Sequence, residues 1–168
     1  MAKGTMLSEH QQKRVWEGLL SAEIRANYFA ELSGRYRREQ RFTTWAIVLL
    51  SSGAVATFVY AGLPARFAAW LRPALAVLTA AGSLYLLVAR NHERAIDSAS
   101  LHERWNRMAG KYETLWENVY AEDAQERLRQ FDEECAELST AATGFPYKKR
   151  TMLKWQDHVE QHHAIHAA

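Results

Sequence analysis

Three histidines, His158, His162 and His166, stand at i, i+4 and i+8 in the run DHVEQHHAIH. On a helix that spacing places three imidazoles on one face, close enough to share a metal ion. The run is not the metalloprotease HExxH, because Val159 follows His158 and Glu160 stands one place later, and no carboxylate or cysteine completes a ligand set at convincing spacing. We therefore expect a polar, pH-responsive surface and no metal. A second cluster, Lys148, Lys149, Arg150 and Lys154, is a compact basic patch. Its ordinary role is a solvated charge run, and its functional one is contact with an anionic headgroup or a nucleotide. The third set is uncharged: Ser51, Ser52 and Thr57, then Thr79 and Ser83, are hydroxyls in apolar surroundings. Such groups either pack between close helices or face a water-filled path, which makes them the candidate pore-lining residues. Gly53, Thr57 and Ala61, and Ala76 and Ala80, are small residues four apart, which are expected to let helices approach closely.

Catalysis finds little to work with. No phosphate-cradling glycine loop, nucleophile elbow or paired-carboxylate site occurs, so neither an enzyme nor a cofactor is expected. The lone Cys135 excludes an intrachain disulfide and reads as a small apolar helix residue. MAKGTMLSEH has no apolar core and no Gly at position 2, so a cleaved signal and myristoylation are not expected.

What positions these residues is a segregation of charge. The 168 residues average a negative hydropathy (−0.35), carry a net charge of only +2, and so look globular in bulk. Yet 24 residues between Arg41 and Arg66, and 17 between Arg72 and Arg90, hold no charge. A helix of about 20 apolar residues crosses a bilayer. The first window clears that length, and the second reaches it if Arg72 and Arg90 extend their stems along its ends. Trp45, Tyr60, Trp70 and Tyr85 lie near the four window ends, where amphipathic rings prefer to sit. Gly62 and Pro64 end the first helix and Pro73 suits the start of the second. The expectation is a hairpin with spans about 42–63 and 73–89, against a buried soluble hairpin as the alternative.

Orientation follows from the basic flanks. Arg35, Arg37, Arg38, Arg41, Arg90 and Arg94 outnumber Arg66 and Arg72 in the turn, which places both termini in the cytoplasm. Arg35, Arg37, Arg38, Arg41, Arg66, Arg72 and Arg90 are also the expected contacts with membrane lipids.

Outside the hairpin the periodicity is helical. Ser8 and Gln11 form a capping-box pattern. Val15, Leu19, Ala22, Ala26, Phe29, Ser33 and Tyr36 then recur at alternating spacings of four and three, and Leu101, Trp105, Met108, Tyr112, Leu115 and Val119 repeat the pattern. Two such seams pack on one another. Trp16, Tyr28, Trp116 and Tyr120 fall off the seams and call for further partners, either later helices or other copies of the chain. A third helix is expected to start near Asp123 with Glu126 as its capping partner, followed by a loop over 139–150 and a last helix from Met152 to about His163 anchored by Trp155 and Val159. The resulting plan is an N-terminal cytoplasmic helix (1–41), a transmembrane hairpin (42–90), cytoplasmic helices (91–140) and a basic, His-rich tail (141–168). The expected class is an all-α membrane protein, a two-helix transmembrane hairpin continuous with long cytoplasmic stalk helices that form an oligomeric bundle.

With RANYFAELSGRYRREQRFTTW leading into the first window and RNHERAIDSASLHERWNRMAGKYETLW leaving the second, residues 10–140 resemble the SLATT family of bacterial two-span effectors. The resemblance implies a homo-oligomeric, ligand- or partner-gated pore in the inner membrane that depolarises an infected cell, triggered by a nucleotide or oligonucleotide from a separate nucleotidyltransferase. It supplies no catalytic residues. The rival expectation is a membrane-anchored helical scaffold or adaptor with no pore.

Overall fold

The computed structural model describes residues 7–51 and 65–166, with the side chains of 50, 51, 65–69, 71, 72, 86, 87, 89, 165 and 166 excepted. The regular structure of the described residues is all helical, in five helices: α1 (Glu9–Ser51), α2 (Ala65–Ala89), α3 (Asn91–Glu117), α4 (Ala124–Ala142) and α5 (Lys149–His166). They divide into two compact units. The first comprises residues 1–32 and 97–168, and the second residues 33–96.

In the first unit, α1 is the strut that meets every other helix. It starts as its sequence requires, since the Ser8 N–H donates to Gln11 Oε1 (2.9 Å) while the Gln11 N–H donates to Ser8 Oγ (3.4 Å). This reciprocal box satisfies two amide donors that a helix start leaves orphaned. Val15, Leu19, Ala22, Ala26 and Phe29 are buried, and so are Leu101, Trp105, Met108, Tyr112, Leu115 and Val119. Burying a large apolar side chain is worth about 1.5–3 kcal/mol, so a seam of this length outweighs the polar propensities between its members. At Gly18 the two helices touch: a Cβ there would lie 2.7 Å from Cε1 and Cζ of Tyr112. His102 Nδ1 donates to the Ala26 carbonyl (2.8 Å), and because a carbonyl only accepts, the proton sits on Nδ1.

Of the four residues off the seams, Tyr28 and Trp16 meet later elements, Trp116 meets Trp16, and Tyr120 is 69 % exposed. Tyr28, 4 % exposed, donates through its hydroxyl to the Pro146 carbonyl and accepts from the Lys148 N–H (3.3 Å). Trp16 packs on Trp116 (5.3 Å between centroids) and on His163 (5.0 Å, edge-on). Helix α4 is pinned by Arg14–Asp132 and Lys111–Glu134, both 2.6 Å, and by Phe131 edge-on to Tyr112. Helix α5 is held by Val159, 3 % exposed, and by Lys154–Glu31 (2.8 Å).

Helix α2 starts at Ala65, so Pro73 lies inside it and not at its start as expected. Three further boundaries differ from expectation. Asp123 makes no side-chain cap bond, because its carboxylate accepts from Arg127 Nε (2.6 Å) and Glu126 from Arg129 and Gln130. Two side-chain partners one turn along compete with the backbone amides for those oxygens. Helix α4 continues to Ala142 and α5 starts at Lys149, so the loop is shorter than 139–150 and the last helix longer than Met152–His163. Third, α2 and α3 do not run together: Arg90 lies between them with φ of 44°, a left-handed conformation rare for a side chain with a Cβ.

In the second unit, α1 and α2 pack at Gly82, where a Cβ would lie 3.1 Å from Ile47 Cγ1. Leu75, Thr79 and Gly82, at i, i+4 and i+7 on α2, are half-buried. Ala76 and Ala80, expected as the close-packing residues, are exposed, so the small residue at the α1 contact is Gly82. No helix among the described residues is long and apolar enough to cross a membrane. Most of the expected first span and its turn, 52–64, lies outside the described residues.

Candidate functional site

The basic residues before the first apolar window form the most developed polar feature of the second unit. Arg35 pairs with Glu39 one turn on (3.0 Å), which occupies the acid of this run. Arg37, Arg38 and Arg41 are exposed. Arg37, Gln40, Arg41, Thr44 and Trp45 together line a cavity of about 310 Å³. Arg90 reaches Glu93 at 3.6 Å, while the side chains of Arg66 and Arg72 lie outside those described.

The candidate hydrophilic residues of the two apolar windows divide. Ser52 and Thr57, with the Ser51 side chain, lie outside what is described. Thr79 Oγ1 donates to the Leu75 carbonyl (2.8 Å) and Ser83 Oγ to the Thr79 carbonyl (2.9 Å). Each hydroxyl proton is thus used one turn back on its own helix, as in apolar surroundings, while the oxygen keeps acceptor capacity. Thr79 sits on the half-buried stripe, whereas Ser83 is exposed.

The C-terminal basic patch is split rather than continuous. Lys154 is tied to Glu31 and lies over the Trp155 ring (4.7 Å to its centroid), and Trp155 Nε1 donates to the same carboxylate (3.0 Å). Lys149 and Arg150 are exposed in the first turn of α5, which has no acidic residue. Beside them a cavity of about 410 Å³ opens between α1, the end of α4 and the 143–148 loop, lined mainly by Arg25, Tyr28, Phe29, Ser139, Phe145 and Tyr147. Nothing in the sequence singles out Arg25, because its neighbours Ala22 and Ala26 mark that stretch as seam. It bridges helices, donating to Ser139 Oγ (2.7 Å) with its guanidinium 4.6 Å from the Trp105 ring centroid. Trp105 Nε1 is buried with no hydrogen-bond partner among the described residues, so cation–π attraction from Arg25 is the polar contact the ring does receive.

In the C-terminal helix His163, not part of the expected trio, meets a carboxylate of α1: its Nε2 lies 2.8 Å from Glu23 Oε2. His158 packs edge-on to Trp155 and His162 on His163, and the His166 side chain lies outside those described. No group of three metal-ligating side chains occurs among the described residues. Cys135 and Tyr112 form a further pair, Sγ 3.5 Å from the hydroxyl, and burial pushes both the thiol and the phenol above their usual ranges.

No protein-family model, curated protein or solved structure matches this chain.

Proposed function

We propose that the chain is a homo-oligomeric effector of the bacterial inner membrane, a pore gated by a ligand or partner, in line with its resemblance to the SLATT family. One observation carries the membrane part. Of the fifteen large apolar residues exposed among the described ones, ten fall within 42–88 (Phe42, Trp45, Val48, Leu49, Trp70, Val77, Leu78, Leu84, Tyr85 and Val88), and the other five, Ile96, Trp116, Tyr120, Tyr147 and Leu153, are scattered beyond it. Residues 1–32 and 97–168, by contrast, bury their seams. Apolar surface left in water costs roughly 25 cal/mol per Å², and contiguous patches of it mark a membrane or a partner. Lipid around the charge-free windows 42–63 and 73–89 answers that cost, with both termini on the cytoplasmic side.

Two spans do not enclose a path, so a pore needs several copies. On α2, Ala76, Ala80 and Ser83 stand at i, i+4 and i+7 on the exposed side, a stripe small enough for a second copy to approach. Ser83 is then the lining candidate, and Thr79 a packing residue. For the signal, implied by the resemblance to be a nucleotide or oligonucleotide, we assign the cleft at Arg25 and Tyr147 with the neighbouring Lys148, Lys149 and Arg150. A ligand that prefers one of two arrangements of the oligomer shifts their balance by its difference in affinity.

The test is ion flux through purified oligomer in liposomes, wild type against Ser83→Asp. A pore lined by Ser83 gains cation selectivity in the variant. Insertion of the chain with no flux in any condition, and a variant that merely inserts less well, would establish the scaffold instead.

A further inference from the structure

We infer that the cavity at Arg37, Gln40, Arg41, Thr44 and Trp45 is a binding site for the phosphate of an anionic phospholipid headgroup, resting on the membrane reading of residues 42–88. Four arginines fall within Arg35–Arg41 and one carboxylate with them, and Glu39 is occupied by Arg35. Arg37 and Arg41 therefore line the cavity as cations with no acid among its walls. Guanidinium forks match phosphate oxygens in pairs, which a lysine ammonium does not. Gln40 and Thr44 add an amide and a hydroxyl suited to ester and glycerol oxygens.

The order of polarity along the helix selects a lipid over a free anion. Arg37, Arg41, Trp45 and Val48 follow at i, i+4, i+8 and i+11, so one face passes from two cations through an indole to an aliphatic side chain. Trp45 and Val48 are exposed, and the neighbouring Leu49 extends the apolar surface. An amphiphile laid on this face meets charge at its phosphate, an amphipathic ring at its glycerol region and apolar surface at its chains. A soluble phosphate would use only the first turn of that sequence.

The experiment uses the full chain, first in vesicles and then extracted in detergent. Carbonate-resistant association with vesicles of phosphatidylcholine and phosphatidylglycerol tests the membrane reading by itself. Native mass spectrometry of the extracted protein then measures retention of phosphatidylglycerol against phosphatidylcholine, for wild type, Arg37→Gln/Arg41→Gln, and Arg104→Gln as a control in the other unit. The expected result is a preference for phosphatidylglycerol that falls roughly fivefold per arginine removed, about 25-fold for the pair, and is unchanged in Arg104→Gln. An inserted protein with no preference, or a preference the double variant keeps, overturns the headgroup site and leaves the membrane reading standing. Displacement of the lipid by millimolar inorganic phosphate assigns the pocket to free anions and overturns it too. A chain that carbonate strips from the vesicles removes both readings together.

Discussion

Gly18 and Cys135 show how much of this protein is decided by single contacts. Glycine inside a helix ordinarily costs about 1 kcal/mol relative to alanine, so its presence needs a reason. At Gly18 the reason is Tyr112, 2.7 Å from where a Cβ would be. Gly110 has nothing within 4 Å of the same position. Gly18→Ala should lower stability by about 1–3 kcal/mol through overpacking, whereas Gly110→Ala should raise it by about 0.5–1 kcal/mol; denaturant melts of the two variants check both signs. Cys135 makes a pH-dependent prediction. Burial raises its thiol above the ordinary value of 9.0. The folded thiol therefore keeps its proton where the unfolded one has lost it, so its stabilising contribution is complete below about pH 9 and declines as pH rises through the folded value. Tyr112, raised by burial as well, adds a decline of the same sign at higher pH. Labelling by a thiol reagent at pH 8 should be markedly slower in the folded protein than in urea, and equal rates would show that the thiol is not shielded.

Among the elements, the junction at Arg90 is where local preference yields. The sequence from Pro73 onward reads as a span running straight into a stalk, yet Arg90 takes a left-handed φ of 44° between α2 and α3. The turn is stabilised in part by the Arg94 N–H bonding to the Arg90 carbonyl (3.0 Å) and by Arg90–Glu93. A non-glycine residue there stores roughly 1–2 kcal/mol. Arg90→Gly should release that strain and raise the melting temperature, while Arg90→Val, β-branched in the same conformation, should lower it. Calorimetry of both reads the outcome. The seams, in contrast, were legible from spacing: Val15 to Tyr36 and Leu101 to Val119 are buried at every expected position, because a 3.5-residue period is a property of the chain itself. Which partner Trp16 and Tyr28 would choose was not legible. Packing against α5 and the 143–148 loop depends on where α5 returns, and no local pattern encodes that.

For the molecule as a whole, the testable statement is topology. If the hairpin returns the chain to its starting side, both ends share one compartment. In a Cys135→Ala background, Leu153→Cys, at a position 46 % exposed in α5, should react with a membrane-impermeant reagent in inverted vesicles and stay protected in intact spheroplasts. A cysteine in place of Lys13, exposed in α1, should behave the same way. Opposite labelling of the two positions would break the hairpin. The sequence by itself determined the helical class, the seam residues, the capping box at Ser8 and the concentration of apolar residues in 42–88, because each of these is carried by neighbours within a few turns. Only the tertiary structure decided that Arg25 bridges to Ser139, that His163, outside the i, i+4, i+8 trio, meets Glu23, and that Gly82 and not Ala76 or Ala80 forms the close contact with α1. Arg25 and Ser139 are 114 residues apart, His163 and Glu23 140 apart. Contacts at such separation depend on how four helices return to one core, and residue spacing along a single helix carries no record of that return.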